Sequence, residues 1–310
     1  MKHLFSLLLV ISSFSAVQAQ QALWQGKGRI AISSDGNEHD HDDWAATPMT
    51  LALIASQGLQ DKMVLYTYSD HVWGSNQAHP SHHGLSAYEH MRVSALGGKQ
   101  QFGFDKSRFL CAVDHPERAY EAMKEVINKS SVDDPLIILA AGPMQVVGEA
   151  LNRADKDKRK FVTVVSHSWW NNEHSDWWSD DVDRPFPLLK ATEWDGHSGW
   201  TFEEMKATFG TEKGGNATFI YITDQNGGED YEGLQAPANR FDWLLSSEGQ
   251  YKKAYKKDSW YWLYQRLANG IKGGKFDVSD AGLALYILTG VEKTNIGMLK
   301  EMLENPKVND

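Results

Sequence analysis

Short apolar runs alternate with amphipathic stretches along most of the chain. The apolar runs predict strands at 29–33, 63–68, 136–140, 161–165 and 219–222. Apolar residues at helical spacing predict helices at 44–57, 86–96, 116–128, from Pro143 to about 152, and at 280–288. Strands that alternate with helices predict an α/β fold with a mainly parallel central sheet, helices on both faces and a Rossmann-like architecture.

Polar clusters follow the predicted strands at the point where each strand ends. They lie at 35–43, 69–70, 141–142, 166–174 and 223–226. In a parallel sheet the active crevice lies beyond the carboxyl ends of the strands. This recurrence predicts that the clusters share a single site.

The first 19 residues have the features of an export signal. Lys2 precedes a short apolar core, and the small residues Val17 and Ala19 stand at −3 and −1 of a cleavage site before Gln20. The apolar core is too short to span a bilayer. We therefore expect residues 1–19 to be removed and residues 20–310 to form a single domain that is periplasmic or secreted, since no repeat or linker divides them.

The amino-acid composition limits the kinds of molecule that the protein is expected to bind. The formal net charge of −10 argues against nucleic acid, which requires clustered Lys and Arg, and no later segment is long enough to cross a membrane. Cys111 is the only cysteine, so no internal disulfide forms. Twelve tryptophans suit either a core or a sugar-binding surface. We expect a small-molecule or oligosaccharide substrate, and the Trp-rich helical stretch near 260–264 belongs either to the core or to a homo-oligomer interface.

The densest candidate site is the acidic loop at residues 35–43. It holds five carboxylates and two imidazoles within nine residues. Carboxylates this close repel one another, which is tolerated in open solvent or around a cation. Dense oxygen ligands suit Ca²⁺ or Mg²⁺, and the histidines leave room for Mn²⁺ or Zn²⁺. Because the loop joins a strand to an apolar helix, we interpret it as a metal site rather than a hydrated surface loop.

The order of these motifs resembles the nucleoside hydrolase superfamily, whose members open with a strand, a Ca²⁺-binding acidic loop ending in Asp-Asp, and a helix. Residues 42–46 match the end of that motif, whereas residues 35–38 replace its usual Asp-x-Asp-Pro-Gly start. Residues 137–143 resemble the strand that ends in Thr-Gly-Pro, and residues 277–281 resemble the late His-Asp motif. The resemblance runs from about residue 29 to residue 290.

The resemblance implies a ligand set and a sugar-binding set. The implied metal ligands are Asp42, Asp43, Asp280 and the main-chain carbonyl of Ala141, and the catalytic base is Asp35, Glu38 or Asp40. Residues 192–195 are similar to a family segment that grips sugar hydroxyls, and Asp70 takes the position of a sugar-contacting Asn. With the polar clusters after the later strands, the predicted substrate-binding residues are Asp70, Asn171, Asn172, His174, Glu193, Trp194, Asp195 and Asp224.

The chain departs from the family pattern at the residue that would act as the general acid. Ser279 stands where many members have a His that helps the leaving base depart, and a Ser hydroxyl is a far weaker acid. By residue type alone, the acid candidates are His82, His83, His167, His174 and His197.

The predicted function is a metal-dependent glycosidase, a hydrolase that cleaves an N- or O-glycosidic bond by water attack at the anomeric carbon. Two alternatives stay open. One is a metal-dependent phosphoesterase built on residues 39–42, which the lack of a Lys/Arg cluster disfavours. The other is a non-catalytic exported carbohydrate-binding protein.

Overall fold

The computed structural model describes residues 21–36, 41–69, 84–142, 144–173, 200–211, 214–246 and 257–307. Within them, six parallel strands form the central sheet: β1 (Arg29–Ser34), β2 (Met63–Tyr68), β3 (Arg108–Cys111), β4 (Leu136–Ala141), β5 (Val162–Ser166) and β6 (Thr218–Tyr221). Their order across the sheet is β3-β2-β1-β4-β5-β6. This confirms the predicted α/β class and its Rossmann-like parallel sheet.

The strand order reverses between β1 and β4. From β1 the chain builds outward through β2 to β3, and it then returns to place β4 on the other side of β1. The two strands run side by side, with Ser34 paired to Ala141 at their carboxyl ends. Loops that leave such a pair diverge to opposite faces of the sheet, and the crevice between them is the usual ligand site of doubly wound sheets.

Helices connect the strands and cover the sheet. In chain order they are α1 (Asp43–Ser56), α2 (Ala87–Phe102), α3 (Pro116–Asn128), α4 (Gln145–Arg153), α5 (Trp169–Glu173), α6 (Phe202–Phe209), α7 (Lys257–Asn269), α8 (Ala281–Thr289) and α9 (Ile296–Glu304). A separate antiparallel pair consists of β7 (Gln235–Pro237) and β8 (Lys275–Asp277). Among the described residues, no helix combines the length and the apolar character needed to cross a bilayer.

The sheet separates two hydrophobic cores. Successive side chains of a strand point to opposite faces, so Ile30 and Ile32 enter one core while Ala31 enters the other. The first core is completed by α1, α2, α7, α8 and α9, and the second by α3, α4 and α6. The prediction of helices on both faces is therefore confirmed.

Helix α1 is buried along its whole length, which explains its almost continuous apolar sequence. Pro48 lies inside it and has no N–H to donate to the carbonyl of Trp44 one turn earlier. The hydroxyl of Ser94 in α2 donates to that carbonyl instead, at 2.6 Å. The first turn of α1 is thus fixed by its neighbour as well as by its own hydrogen bonds.

Several predicted boundaries differ from the structure. The helix predicted at 86–96 continues to Phe102, and the helix predicted at 280–288 is followed by α9. The short strands β3, β7 and β8 and the helices α5 and α6 were absent from the predicted elements.

Candidate functional site

Three carboxylates meet at the edge of the sheet where β1 ends. In the described part of the chain, Asp35, Asp43 and Asp280 each present one oxygen, and the three oxygens lie within 4.8 Å of one another. Asp35 and Asp43 are 1% exposed, and the side chain of Asp280 is 11% exposed. The predicted convergence of Asp43 and Asp280 is confirmed. Asp35, which the sequence suggested as a base, lies in the same group.

Asp35 is held against the end of β4. A Cβ added at Gly142, where φ is +114°, would lie 2.4 Å from the Asp35 Oδ1 atom, so only glycine leaves room for this carboxylate. The backbone N–H of Ser69, directly after β2, donates to the Asp35 carbonyl at 3.0 Å. Ala141, whose carbonyl was predicted to bind the metal, is the residue just before Gly142 and pairs with Ser34 across the strands. The Asp35 carboxylate therefore packs directly against the end of β4.

Ser69, just after β2, and Ser168, just after β5, have strained backbones. Ser69 and Ser168 have φ values of 53° and 70°, which non-glycine residues rarely adopt. Ser69 is fully buried, and its hydroxyl has no hydrogen-bond partner among the described residues. Such strain costs about 1–3 kcal/mol per residue and concentrates at functional sites. A buried hydroxyl without a partner is likewise unusual away from a ligand.

The three carboxylates fit a divalent cation. At an effective dielectric constant of about 20, two unit charges 4.8 Å apart repel by about 3 kcal/mol, so the group is costly without a positive charge. The ligand atoms are all carboxylate oxygens, which hard cations such as Ca²⁺ and Mg²⁺ prefer. Gly142 keeps the space beside Asp35 free of a side chain.

His167, directly after β5, links Asp280 to the next loop. It is fully buried, and its Nε2 atom lies 2.7 Å from the Asp280 Oδ1 atom. In the neutral ring, Nδ1 accepts the backbone N–H of Gln225 at 3.3 Å, and in the charged ring it faces Asp224 at 3.7 Å. Burial lowers the pKa of His167, but the nearby carboxylates of Asp224 and Asp280 outweigh it and raise this pKa to about 9.

Asp224 lies beside His167 rather than among the three grouped carboxylates. Its Oδ1 atom accepts hydrogen bonds from the backbone and side-chain N–H groups of Asn226, each at 3.0 Å. Burial raises the pKa of Asp224, but the neighbouring imidazole of His167 and the hydrogen bonds from Asn226 outweigh it and lower this pKa to about 2. Asp224 is therefore ionised and forms part of a turn at the site's edge, where one third of its side chain is exposed.

Tyr66 on β2 is a buried neighbour of the grouped carboxylates. Its hydroxyl donates to the Thr47 hydroxyl of α1 at 2.8 Å and accepts from the Ser34 hydroxyl at 3.2 Å. Burial raises the pKa of Tyr66, and the charges of Asp43 and Asp280 raise it further. The phenol therefore stays neutral. No sequence pattern singles out Tyr66, because its part in the site depends on partners from other elements.

Stacked rings fix the start of α1. Trp44 stacks between His41 and His90, with ring centroids 4.3 Å and 4.2 Å apart. Arg266 of α7 donates to the His90 carbonyl at 2.9 Å and faces the His90 Nδ1 atom at 3.2 Å. Arg266 is itself buried, and burial lowers its pKa to about 10. The residue next to Asp43 is thus held by side chains from α2 and α7.

The remaining predicted residues divide into three cases. Asp42 directly precedes α1 and is not among the three grouped carboxylates. Asn171 is buried and donates to the His167 carbonyl at 3.0 Å, and Asn172 follows it in α5. The other predicted site residues lie outside the described residues, and they are Glu38, Asp40, Asp70, His174, Glu193, Trp194 and Asp195. Four of the acid candidates lie there as well, and they are His82, His83, His174 and His197.

Comparison with known proteins adds a relative without an assigned function. No protein-family model matches the chain. The chain is 28% identical over 302 residues to a protein of Formosa agariphila named uncharacterized protein P22. The alignment covers 92% of this chain and 94% of the relative, so the similarity extends over nearly the whole of both proteins.

Proposed function

We propose that the protein is a metal-dependent hydrolase that cleaves a glycosidic bond. The observation that carries this proposal is the convergence of Asp35, Asp43 and Asp280 at the point where the strand order reverses. The motif order that resembles the nucleoside hydrolase superfamily adds the reaction type. The export signal expected at residues 1–19 adds a location outside the cytoplasm, which sequencing the amino terminus of the exported protein would test.

Asp35, Asp43 and Asp280 would hold the cation, with the Ala141 carbonyl beside Asp35 as a further ligand. A bound divalent cation supplies positive charge that orients sugar hydroxyls and the attacking water. The all-oxygen ligand set favours Ca²⁺ or Mg²⁺ over Zn²⁺. A carboxylate of the acidic loop accepts the proton of the water as it attacks the anomeric carbon. Asp35, Glu38 and Asp40 remain the candidates for that base.

Neither Ser279 nor His167 supplies the acid that protonates the leaving group. Ser279 is buried, and its backbone N–H donates to the Asp277 carboxylate at 3.0 Å. His167 is buried with both ring nitrogens engaged. This arrangement leaves His82, His83, His174 and His197, all outside the described residues, as the acid candidates. It also keeps a second candidate function, a carbohydrate-binding protein without catalysis.

The test is a hydrolysis screen with the purified protein. The substrates are nitrophenyl glycosides, nucleosides and nitrophenyl phosphate, each assayed in EDTA and after addition of Ca²⁺, Mg²⁺ or Mn²⁺. We expect hydrolysis of at least one glycoside or nucleoside that EDTA abolishes and a cation restores. Asp43→Asn should reduce kcat/KM at least about 100-fold, as loss of an electrostatic group at the reacting centre does.

Asp61→Asn is the matched control. Asp61 is an exposed carboxylate that pairs with Lys106 at 2.6 Å just before β2, at the opposite end of the sheet, so its replacement should leave kcat/KM unchanged. Cleavage of nitrophenyl phosphate alone would replace the proposal with the phosphoesterase. Cation-dependent sugar binding without any cleavage would replace it with the binding protein.

A further inference from the structure

The carboxylate of Asp280 is turned away from its own helix. Asp280 is the N-cap residue of α8, where an Asp side chain usually accepts a backbone N–H of the first helical turn. Here the side chain makes no such hydrogen bond. Among the described residues, its hydrogen-bond partner is the Nε2 atom of His167, 113 positions earlier in the chain. The first N–H groups of α8 donate instead to the carbonyls of residues 278–280, and the Asp280 side chain makes a long-range contact.

His167 is itself fixed from several sides. The Ser166 hydroxyl before it donates to the Ala140 carbonyl of β4 at 2.8 Å, which ties the end of β5 to its neighbour. The side-chain amide of Asn171 donates to the His167 carbonyl, and the backbone N–H of Gln225 reaches the Nδ1 atom. The ring therefore has one orientation, with Nε2 directed at Asp280.

We propose that His167 is a positioning residue that orients the carboxylate of Asp280 toward the cation held with Asp35 and Asp43. The inference rests on the proposed cation site. It does not depend on the charge of the ring. Both nitrogens carry a proton in the charged ring, and in the neutral ring Nδ1 accepts the Gln225 N–H, so the proton is on Nε2. One Asp280 oxygen receives the N–H at 2.7 Å, which restricts rotation of the carboxylate and leaves its second oxygen and remaining lone pairs for a cation.

The physical reason is preorganisation. A free carboxylate rotates, and the repulsion of two other carboxylates within 4.8 Å would favour turning it toward solvent. The N–H of His167 opposes that rotation from a buried position. Partners of metal-binding side chains typically contribute about 10- to 100-fold to metal affinity.

The test compares two replacements of similar bulk in the full chain. His167→Leu removes the N–H donor, whereas His167→Gln retains one. Calorimetric titration with Ca²⁺, Mg²⁺ and Mn²⁺ should give a Kd about 10- to 100-fold weaker for His167→Leu and a value closer to that of the wild type for His167→Gln. If His167→Leu does not fold, Asn171→Ala, which frees the His167 carbonyl, takes its place and should weaken the Kd several-fold.

Val126→Ala controls for lost stability alone. Val126 is buried in α3 beside Arg29, at the start of β1 and the opposite end of the sheet from the site, so this variant should unfold earlier yet keep the wild-type Kd. An unchanged Kd in folded His167→Leu overturns the positioning role and leaves the proposed hydrolase intact. A wild-type protein that binds no cation overturns both. Cation binding that depends on His167 without any hydrolysis overturns the catalytic function alone.

Discussion

Replacing Asp43 by Asn should make the protein more stable than the wild type without a cation and less stable than the wild type in excess cation. The substitution keeps the size of the side chain and removes one of three negative charges. Asp43 faces two carboxylates within 4.8 Å, and each pair repels by about 3 kcal/mol at an effective dielectric constant of about 20. Screening by the surroundings relieves most of that repulsion in the cation-free protein. We therefore expect Asp43→Asn to be about 1 kcal/mol more stable than the wild type in EDTA.

Adding the cation should remove this advantage. A ligand at 100 times its Kd stabilises the folded state by about 2.7 kcal/mol. With an unfolding entropy of about 2.1 cal/mol/K per residue, this corresponds to about 4 °C in Tm for a chain of 310 residues. Asp43→Asn lacks one of the ligands and should show little of that shift. The wild type should thus melt below the variant in EDTA and above it in excess cation.

Scanning calorimetry in EDTA and in excess Ca²⁺ measures both effects. Asp61→Asn is again the control, because exposed ion pairs contribute little, and it should follow the wild type within about 1 °C in both conditions. A full cation-induced shift in Asp43→Asn would show that Asp43 does not bind the cation. A variant that melts well below the wild type in EDTA would show that charge repulsion is not the main effect of Asp43 on the stability of the cation-free protein.

Three further predictions concern single residues. Gly142→Ala places a methyl group 2.4 Å from the Asp35 Oδ1 atom, on a backbone conformation that residues with side chains rarely adopt. Calorimetry should therefore show destabilisation of about 1–3 kcal/mol and at least about 10-fold weaker cation binding, and unchanged binding would contradict this. Burial raises the pKa of Cys111 to about 12, so the thiol is protonated at pH 8 and should react rapidly with a disulfide reagent only in denaturant; rapid labelling of the native protein at pH 8 would refute this. The contribution of Cys111 to the free energy of unfolding should fall as the pH rises from about 9 toward 12. Ser94→Ala removes the hydroxyl that donates to the Trp44 carbonyl and accepts from the Arg266 Nε atom at 2.9 Å, and it should cost about 1–3 kcal/mol in urea unfolding. That cost should shrink in a Pro48→Ala background, where residue 48 regains an N–H for the same carbonyl, and an equal cost in both backgrounds would rule out this account.

The sequence predicted those parts of the fold that depend on strong local periodicity. The four inner strands of the sheet are buried and apolar, and each was predicted close to its observed bounds. Strand β3 was not predicted, and it is a four-residue edge strand that begins at exposed Arg108; β6, the other four-residue edge strand, was predicted from the apolar run at 219–222. Strands β7 and β8 have three residues each, which is too short for a period-2 pattern to emerge.

The candidate site was predictable where it follows strand ends and not where it depends on distant partners. The order of motifs placed Asp43 and Asp280 together, and the structure confirms it. The grouping of His167 with other acid candidates rested on residue type. Its contact with Asp280 spans 113 positions, and no local pattern encodes such a contact. Tyr66 and Arg266 likewise acquire their surroundings only when the elements pack together.

The framework holds the carboxylates in place before any ligand arrives, and this has a consequence for both stability and binding. Asp43 begins a helix that is buried throughout, with its first turn supported by Ser94. Asp280 is turned from its helix toward His167. Because these supports oppose the separation of like charges, the part of the repulsion that is not screened stays in the cation-free fold as a cost. A cation that neutralised the charges would recover that cost as binding free energy, so the same geometry would lower the stability of the cation-free protein and raise its affinity for a divalent ion.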